Sequence, residues 1–560
     1  VSATQRATIR LPLIQQYLRE QSELTAVERF SKHHDSPGRT SKESRYRDLM
    51  PASEPRPGQQ YAFSVDLDRC TGCKACVTAC HSLNGLDDGE SWRAVGLLHG
   101  GSAEHPVQQT VTAACHHCVD PACLNGCPVN AYEKDPRTGI VKHLDDQCIG
   151  CKYCTLTCPY EVPQYNQAKG IVRKCDMCSD RLAQGEAPAC VQACPNEAIS
   201  IEIVDRRQVV ENAQGDAFLP AAPSPGITVP TTSYRTERAL PRNLLPADFY
   251  AVRPAEQHRP LVVMLVLTQL SVGAFCVDQL CALLGAGATT GLSRFVHAAL
   301  SLAIGLLALG ASLMHLGRPL YAFRAVLGLK RSWLSREILG FGLFAGLAVA
   351  HAGLLGLESL RPGLLGAHSA QLQSWLGGAV AVTGVASVFC SAMLYHVTLR
   401  RFWSFSRTGF KFFMSTAVLG LSTTLATSLG TSILSLGVAR SSTVRALCFG
   451  LACAIALKLV GELSVLSHLR DKQQSDLKRS ALLLRGELAP LLKWRVGVAL
   501  FGGVLLPLAI AEAIGSGAQP GALAAIAGLL GAGTTLAGEL LERLLFFSAV
   551  SAPRMPGGLK

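Results

Sequence analysis

Residues 147–160, QCIGCKYCTLTCPY, hold four cysteines as Cys148-x2-Cys151-x2-Cys154-x3-Cys158-Pro, and this spacing decides the architecture of the first half of the chain. Three further groups surround it: Cys70-x2-Cys73-x2-Cys76-x3-Cys80, Cys115-x2-Cys118-x4-Cys123-x3-Cys127-Pro and Cys175-x2-Cys178-x11-Cys190-x3-Cys194-Pro. Sixteen of the 21 cysteines therefore fall between positions 70 and 194, whereas Cys276, Cys281, Cys390, Cys448 and Cys453 are scattered. A small secreted domain would use so many cysteines as disulfides, but a regular four-fold spacing points to metal. Zinc sites need two Cys-x2-Cys pairs and rarely repeat the x3-Cys-Pro tail.

In this spacing a tight loop wraps three corners of an iron–sulfur cubane, and the fourth cysteine begins a helix that carries it to the neighbouring cluster. Sixteen ligands make four [4Fe–4S] clusters. No group lacks a cysteine, so a [3Fe–4S] centre is not indicated. The expected fold of residues 61–205 is an α+β double bacterial-ferredoxin-like domain.

Working outward, the 560-residue chain is 49% hydrophobic and only 16% charged, with a net charge of +12. Soluble globular proteins carry about 25% charged residues, so an ordinary soluble protein is excluded. Residues 1–260 hold 28 Lys and Arg against 30 Asp and Glu; residues 261–560 hold 24 against 10. The basic excess lies wholly in the apolar half, which argues against nucleic-acid binding. With sixteen thiolates on four oxidised cores of charge 2+, the first half falls to about −10 and the whole chain to about +4. An acidic electron-transfer module would then face a basic membrane surface.

Residues 1–60 read as a polar extension with an amphipathic stretch over Ile9–Phe30, and neither a Sec nor a twin-arginine signal is expected there. Residues 206–260 are rich in proline and read as a linker or strap. From residue 261 to 560 an all-α bundle of eight transmembrane helices is expected, at 261–284, 296–316, 338–357, 372–396, 410–436, 443–466, 494–514 and 521–547. Each is about the 20 residues that cross the hydrocarbon core. Trp333, Trp375, Trp403 and Trp494 sit near span ends, as an interfacial belt would. The loops after spans 2, 4 and 6 carry sixteen Lys and Arg, and those after spans 1, 3, 5 and 7 carry four. The positive-inside rule then puts the cysteine domain and both termini in the cytoplasm, on an inner (cytoplasmic) membrane.

The segments CTGCKACVTAC (70–80), ACHHCVDPACLNGCPVNAYEKD (114–135), QCIGCKYCTLTCPY (147–160) and RKCDMCSDRLAQGEAPACVQACPNEAI (173–199) resemble the four-cluster iron–sulfur subunits of the DMSO reductase family of molybdenum enzymes. In that family the first and fourth groups exchange their last cysteines, as do the second and third. Carried over, the resemblance implies clusters on Cys70/Cys73/Cys76/Cys194, Cys175/Cys178/Cys190/Cys80, Cys115/Cys118/Cys123/Cys158 and Cys148/Cys151/Cys154/Cys127. His81 rather than proline follows Cys80, a departure without consequence for ligation.

LTQLSVGAF (267–275), SLMHLGRPLYAFRAVLGLKRSWLSREIL (312–339) and AGELLERLLFF (537–547) resemble the membrane anchor subunit of DMSO reductase. The resemblance ties His315 and Glu337 to quinol binding, His315 suiting a ring carbonyl and Glu337 a proton. Gln269 and Tyr395 are further candidates for that site, and Arg318 and Arg336 read as interface residues that dock the iron–sulfur domain. The resemblance implies an electron-transfer and anchor subunit working between the quinone pool (menaquinone or ubiquinone) and a separate catalytic chain with a molybdenum bis-pterin centre. No catalytic centre is expected in this chain. A cytoplasmic iron–sulfur domain is similar to the arrangement in sulfite-oxidising complexes, which favours quinone reduction.

Polar residues inside a span are costly unless paired or facing a cavity. Lys458/Glu462 and Glu539/Arg543, each four apart on one helix, are expected to neutralise themselves. Two alternatives stay open: a redox-driven ion-translocating protein using Lys458, Glu462 and Glu539, and a haem-containing anchor using two of His297, His315, His351 and His396. No haem is expected, because the anchor it resembles carries none.

Overall fold

The computed structural model describes residues 46–557 apart from 286–290, 364–365, 437–439 and 516–520, together with 13–15, 18 and 28. Most of the amphipathic stretch over Ile9–Phe30 lies outside the described residues.

The first half is an α+β ferredoxin-like fold. Strand β1 (Gln59–Asp66) pairs antiparallel with the later strand β8 (Ile199–Asp205), from Gln59 opposite Asp205 to Val65 opposite Ile199, and parallel with β9 (Ser233–Arg235). A hairpin of β2 (Ala94–Gly101) and β3 (Pro106–Ala113) carries the edge strand β10 (Leu245–Pro246). Two short hairpins, β4 (Tyr132–Lys134) with β5 (Val141–His143) and β6 (Gln164–Asn166) with β7 (Ile171–Arg173), back the inner cysteine groups. The cysteine groups run into short helices, Ala75–Leu83, Ala122–Gly126, Tyr153–Thr157 and Ala189–Gln192 among them. Lys74 and Lys152, each immediately before one of these helices, are left-handed, with φ of 62° and 59°. Such a reversal turns successive backbone N–H groups toward one point, which suits an anionic sulfur-rich guest.

Residues 206–260 are tied into this fold. They supply a helix, Arg206–Gln214, capped by the Asp205 carboxylate on the N–H groups of Arg207 and Gln208, and the edge strands β9 and β10.

Among the described residues, eight helices long and apolar enough to span a membrane follow: Arg259–Leu283, Leu292–Leu313, Trp333–Leu360, Ser369–His396, Phe405–Ile433, Ser441–Arg470, Ala489–Ile514 and Ala522–Ser548. Each expected span falls on one of them, with ends shifted by a few residues. His315, expected to end the second span, stands instead in the turn beyond it. Spans 1 and 5 are the most enclosed and touch backbone to backbone: a Cβ at Gly273 would lie 2.0 Å from the Thr416 carbonyl oxygen. Small residues are what permit that approach.

Two expectations about the bundle are corrected. Trp375 and Trp494 are exposed on its outside, but Trp403 is core: its Nε1–H donates to the Phe546 carbonyl at 3.0 Å and its ring stacks on Phe546. The buried charges are also neutralised between helices as well as along one. The Glu539 carboxylate takes Lys458 of span 6 and, at 2.8 Å, Arg495 of span 7, while Arg495 reaches Glu462 at 2.9 Å. Arg543 turns from Glu539 to donate to Gln269 at 2.8 Å and Ser415 at 3.1 Å. Glu539 sits among cations on neighbouring helices because a lone carboxylate in a lipid-embedded bundle is too costly to leave.

The turn after span 2 seats the ferredoxin-like half on the bundle. The N–H groups of Gly317 and Arg318 donate to the carbonyls of Gly150 (3.3 Å) and Ile149 (3.0 Å), and that of Gly328 to Pro128 (2.8 Å). Gly150 has φ 69°, and a Cβ there would lie 2.2 Å from the Gly170 carbonyl oxygen and 2.9 Å from the Gly317 nitrogen. Arg318, Arg324 and Arg400 donate to the carbonyls of Asp145, Asp146 and Leu156. Arg336 does not dock: its guanidinium donates to Leu329 and Lys330 in its own turn and covers the Trp333 ring. The C-terminal segment returns to the first half, where Arg554 pairs with Asp248 at 2.7 Å and the Gly557 carbonyl accepts from Leu97 of β2 at 3.1 Å.

Candidate functional site

The cysteines gather into four sets. Cys70, Cys73, Cys76 and Cys194 line one cavity of about 310 Å³, and Cys115, Cys118, Cys123 and Cys158 another of about 360 Å³. Cys80 lies within electrostatic reach of Cys175, Cys178 and Cys190, and the Asn84 amide bridges the Cys80 and Cys178 sulfurs at 3.6 and 3.9 Å. Cys127 stands in the same relation to Cys148, Cys151 and Cys154. In each set the fourth thiol comes from a different sequence group than the other three. Among the described residues no group of three or more His, Cys, Asp or Glu converges closely enough for a single metal ion; four thiols spread around a larger volume fit a cubane.

The surroundings suit a cationic core held by thiolates, the whole carrying net negative charge. Burial pushes the Cys190 and Cys158 thiols up to about 11 and Cys175 to about 12, so these sulfurs need a positively charged partner to ionise at neutral pH. For Cys148, burial is outweighed by the hydrogen bond and charge of His143 and by backbone N–H groups, which hold the thiol below its ordinary value. Backbone N–H groups of Ala131 and Ala198 donate to the sulfurs of Cys127 and Cys194, each at 3.2 Å. Two buried cations stand between sets. Lys174 Nζ lies 3.6 Å from the Cys115 sulfur and donates to the Cys175 carbonyl at 2.8 Å. Arg93 faces Cys190, Cys76, Cys175 and Cys80; burial opposes its charge, but these thiols hold it protonated. Neither cation was singled out from sequence, because one Lys or Arg outside a motif carries no signal of burial.

Beneath the Cys148/Cys151/Cys154/Cys127 set, where the ferredoxin-like half meets spans 1 to 4, a cavity of about 970 Å³ opens. Its wall is mostly apolar, leucine above all, with the polar groups of Lys152, His258, His315, Glu337 and Tyr395, and with Cys151 at its roof. The His315 Nε2–H donates to the Cys151 carbonyl at 3.1 Å, so the neutral ring keeps Nδ1 as an acceptor. Burial, with the neighbouring His258, holds the His315 imidazole down to about 4 and therefore neutral. Glu337 is 3% exposed and accepts from the Ser391 hydroxyl, while the Tyr153 hydroxyl donates to the Leu394 carbonyl at 2.7 Å.

Of the four candidate quinone residues, His315, Glu337 and Tyr395 line this one cavity. Gln269 does not: its Oε1 accepts from Arg543 at 2.8 Å, within the buried ionic cluster. Sequence reasoning missed Lys152, Tyr153 and His258. The first two are spacer residues of a cysteine motif, and His258 ends the proline-rich segment, so only the docking of the two halves brings them to the cavity. His297, a haem candidate, has both ring nitrogens engaged, with Thr427 Oγ1 at 2.7 Å and the Ala274 carbonyl at 3.2 Å.

This geometry agrees with relationships to known proteins. Residues 255–549 match the family described as DMSO reductase anchor subunit, and residues 107–204 match the 4Fe-4S dicluster domain, so the second to fourth cysteine groups fall inside a recognised iron–sulfur unit. The protein is similar to the B subunit of the anaerobic dimethyl sulfoxide reductase of Escherichia coli strain K12, 42% identical over 154 residues covering 26% of this sequence and 75% of that protein. It is similar also to YnfG, a probable anaerobic dimethyl sulfoxide reductase subunit of the same strain, 41% identical over 29% of this sequence and 83% of the relative. A third relative is the thiosulfate reductase electron transfer subunit PhsB of Salmonella typhi, 37% identical over 27% and 79%. This sequence covers three quarters or more of each of the three relatives over less than a third of its own length, and the anchor match takes up the second half. The protein belongs to the DMSO reductase anchor subunit family and carries, fused ahead of the anchor in one polypeptide, an iron–sulfur electron-transfer subunit.

Proposed function

We propose that this protein relays electrons through four [4Fe–4S] clusters between a separate molybdenum bis-pterin catalytic subunit and a quinone or quinol held in the cavity beneath Cys151. The proposed ligand sets are Cys70/Cys73/Cys76/Cys194, Cys175/Cys178/Cys190/Cys80, Cys115/Cys118/Cys123/Cys158 and Cys148/Cys151/Cys154/Cys127. Clusters held there would supply one-electron transfer, which in series would buffer the two-electron changes at either end. The observation that carries the reading is the 3.1 Å hydrogen bond from His315 to the carbonyl of Cys151, which joins a cluster-ligand loop to the wall of a membrane-level apolar cavity. A quinone site needs such an apolar slot with a few convergent polar groups.

In that slot His315 Nδ1 can accept a hydrogen bond from a quinol hydroxyl, Glu337 takes or gives the proton, and Tyr395 is the third polar group. Gln269 has no part, because Arg543 holds it elsewhere. At the other end of the relay Cys73 is exposed, so the partner would dock over the first set. The substrate is chosen in that partner, and the same residues serve electron flow in either direction. The sixteen basic residues of the loops on the ferredoxin-like side support a cytoplasmic placement of that domain.

The test is purification of the native complex with metal analysis, followed by an EPR-monitored redox titration with and without a quinone-site inhibitor. Molybdenum with about sixteen irons per chain and an inhibitor-shifted spectrum of one cluster are expected. Copurification of no molybdenum subunit, or cluster potentials far above the quinone couple, would sink the proposal.

A further inference from the structure

His258 stands at the start of the first span, in the left-handed conformation with φ 45° and ψ 51°, immediately before Arg259 and Pro260. Non-glycine residues hold that conformation only where their surroundings impose it. The His258 ring lies edge-to-face against His315, centroids 5.6 Å apart, and against Phe547 at 5.4 Å. It lines the cavity, and its side chain is only 9% exposed. Its Nδ1 is buried without a hydrogen-bond partner, 3.8 Å from Oε1 of Glu256, a carboxylate whose side chain is 67% exposed. Lys152, itself in the cavity wall, reaches the same oxygen at 3.8 Å.

We propose that His258 passes protons between the quinone cavity and the solvent on the iron–sulfur side, with Glu256 as the outer station. This rests on the cavity being the quinone site. A titratable imidazole with an unsatisfied nitrogen stands between the apolar slot and a carboxylate open to water, and no other described ring touches His315. The charged and titratable groups facing His258 are Glu256 on its own segment, Lys152 from the cluster loop, Arg400 from the turn after span 4 and His315 from the turn after span 2. Burial, Lys152 and Arg400 favour the neutral imidazole and Glu256 opposes them, so the ring rests neutral and is charged only in passing.

For quinone reduction two electrons arrive from the iron–sulfur relay and two protons from solvent. Each proton moves from Glu256 to His258 and on into the cavity, one O–H bond forms at each ring oxygen, and both side chains return to their resting charge. Quinol oxidation runs the same path outward, the electrons leaving to the relay.

The experiment uses the intact membrane-bound complex carrying His258→Gln or Glu256→Gln. His258→Gln keeps a polar side chain that cannot titrate. It is expected to lower kcat at least about tenfold, to leave the quinone KM within about twofold, to change the pH profile of kcat, and to regain activity with added imidazole. Glu256→Gln, on an exposed side chain that folding does not need, is expected to lower kcat in the same direction by about threefold. Wild-type kcat and pH profile in both variants, or a loss in His258→Gln that imidazole does not restore and that appears in KM, would overturn the relay. Inhibitor binding, read as a shift in the cluster EPR spectrum, separates the two layers. If wild type shows no shift, the cavity is not the quinone site and the relay falls with it. If wild type and His258→Gln both shift and turn over alike, only the relay falls.

Discussion

The His315 imidazole hydrogen-bonds the Cys151 carbonyl at 3.1 Å across the join between the ferredoxin-like half and the membrane bundle. Two residues 164 positions apart thus couple a cluster-ligand loop to a polar group of the membrane cavity. The loop that carries the thiols and the turn after span 2 also share backbone hydrogen bonds, from Gly317 to Gly150 and from Arg318 to Ile149.

Replacing His315 by Ala should lower quinone-linked kcat/KM by about ten- to a hundredfold while leaving four clusters in the EPR spectrum, and Glu337→Gln should lower kcat more than KM. Steady-state kinetics on the purified complex check both. Unimpaired turnover in His315→Ala with intact clusters would remove it from the site.

Cys127 belongs by sequence to the second group and by structure to the third. Cys127→Ser should therefore alter the same EPR signal as Cys151→Ser, and Cys158→Ser the same one as Cys118→Ser. Signals grouped by sequence neighbourhood instead would refute the exchanged pairing.

Stability should depend on pH through His315. Its folded value is held to about 4, below the ordinary 6.5, by burial and by His258. Between these values the unfolded chain binds a proton that the folded one refuses. This contribution is complete above about pH 6.5 and is lost as pH falls toward 4. Thermal melts of the detergent-solubilised complex should show the decline, and His315→Gln should make it shallower.

Glu539, Lys458 and Arg543 are all fully buried among spans 1, 5, 6, 7 and 8. Glu539→Ala leaves Lys458 and Arg495 with Glu462 as their one shared carboxylate and should cost about 3–5 kcal/mol. The double variant with Lys458→Met should recover part of that. Melting temperatures of the three proteins measure it, and a double variant no better than the single would show that the pair is not coupled.

Gly150→Ala places a Cβ 2.2 Å from the Gly170 carbonyl oxygen, at a residue with positive φ. The two penalties together should cost about 1–3 kcal/mol and loosen the seat of span 2's turn. Reduction of the clusters by quinol should slow, while their reduction by dithionite should not change.

The sequence alone determined the sixteen clustered cysteines and the eight spans, because both are written in local spacing: thiols two or three residues apart, and apolar runs about as long as the membrane is thick. It also singled out His315, Glu337 and Tyr395. Tertiary structure decided what depends on distant chain segments meeting. Trp403 reads like any span-end tryptophan until Phe546 stacks on it. Gln269 lies inside an apolar run and Glu337 at the edge of one, and only helix packing gives the first to Arg543 and the second to the cavity. The Lys458/Glu462 spacing announces an ion pair along one helix, but Glu539 and Arg495 arrive from other spans because charge in a low-dielectric bundle gathers every counter-charge within reach. His258 and Lys152 carry no sequence signal, since a side chain becomes part of a cavity only when the two halves close over it.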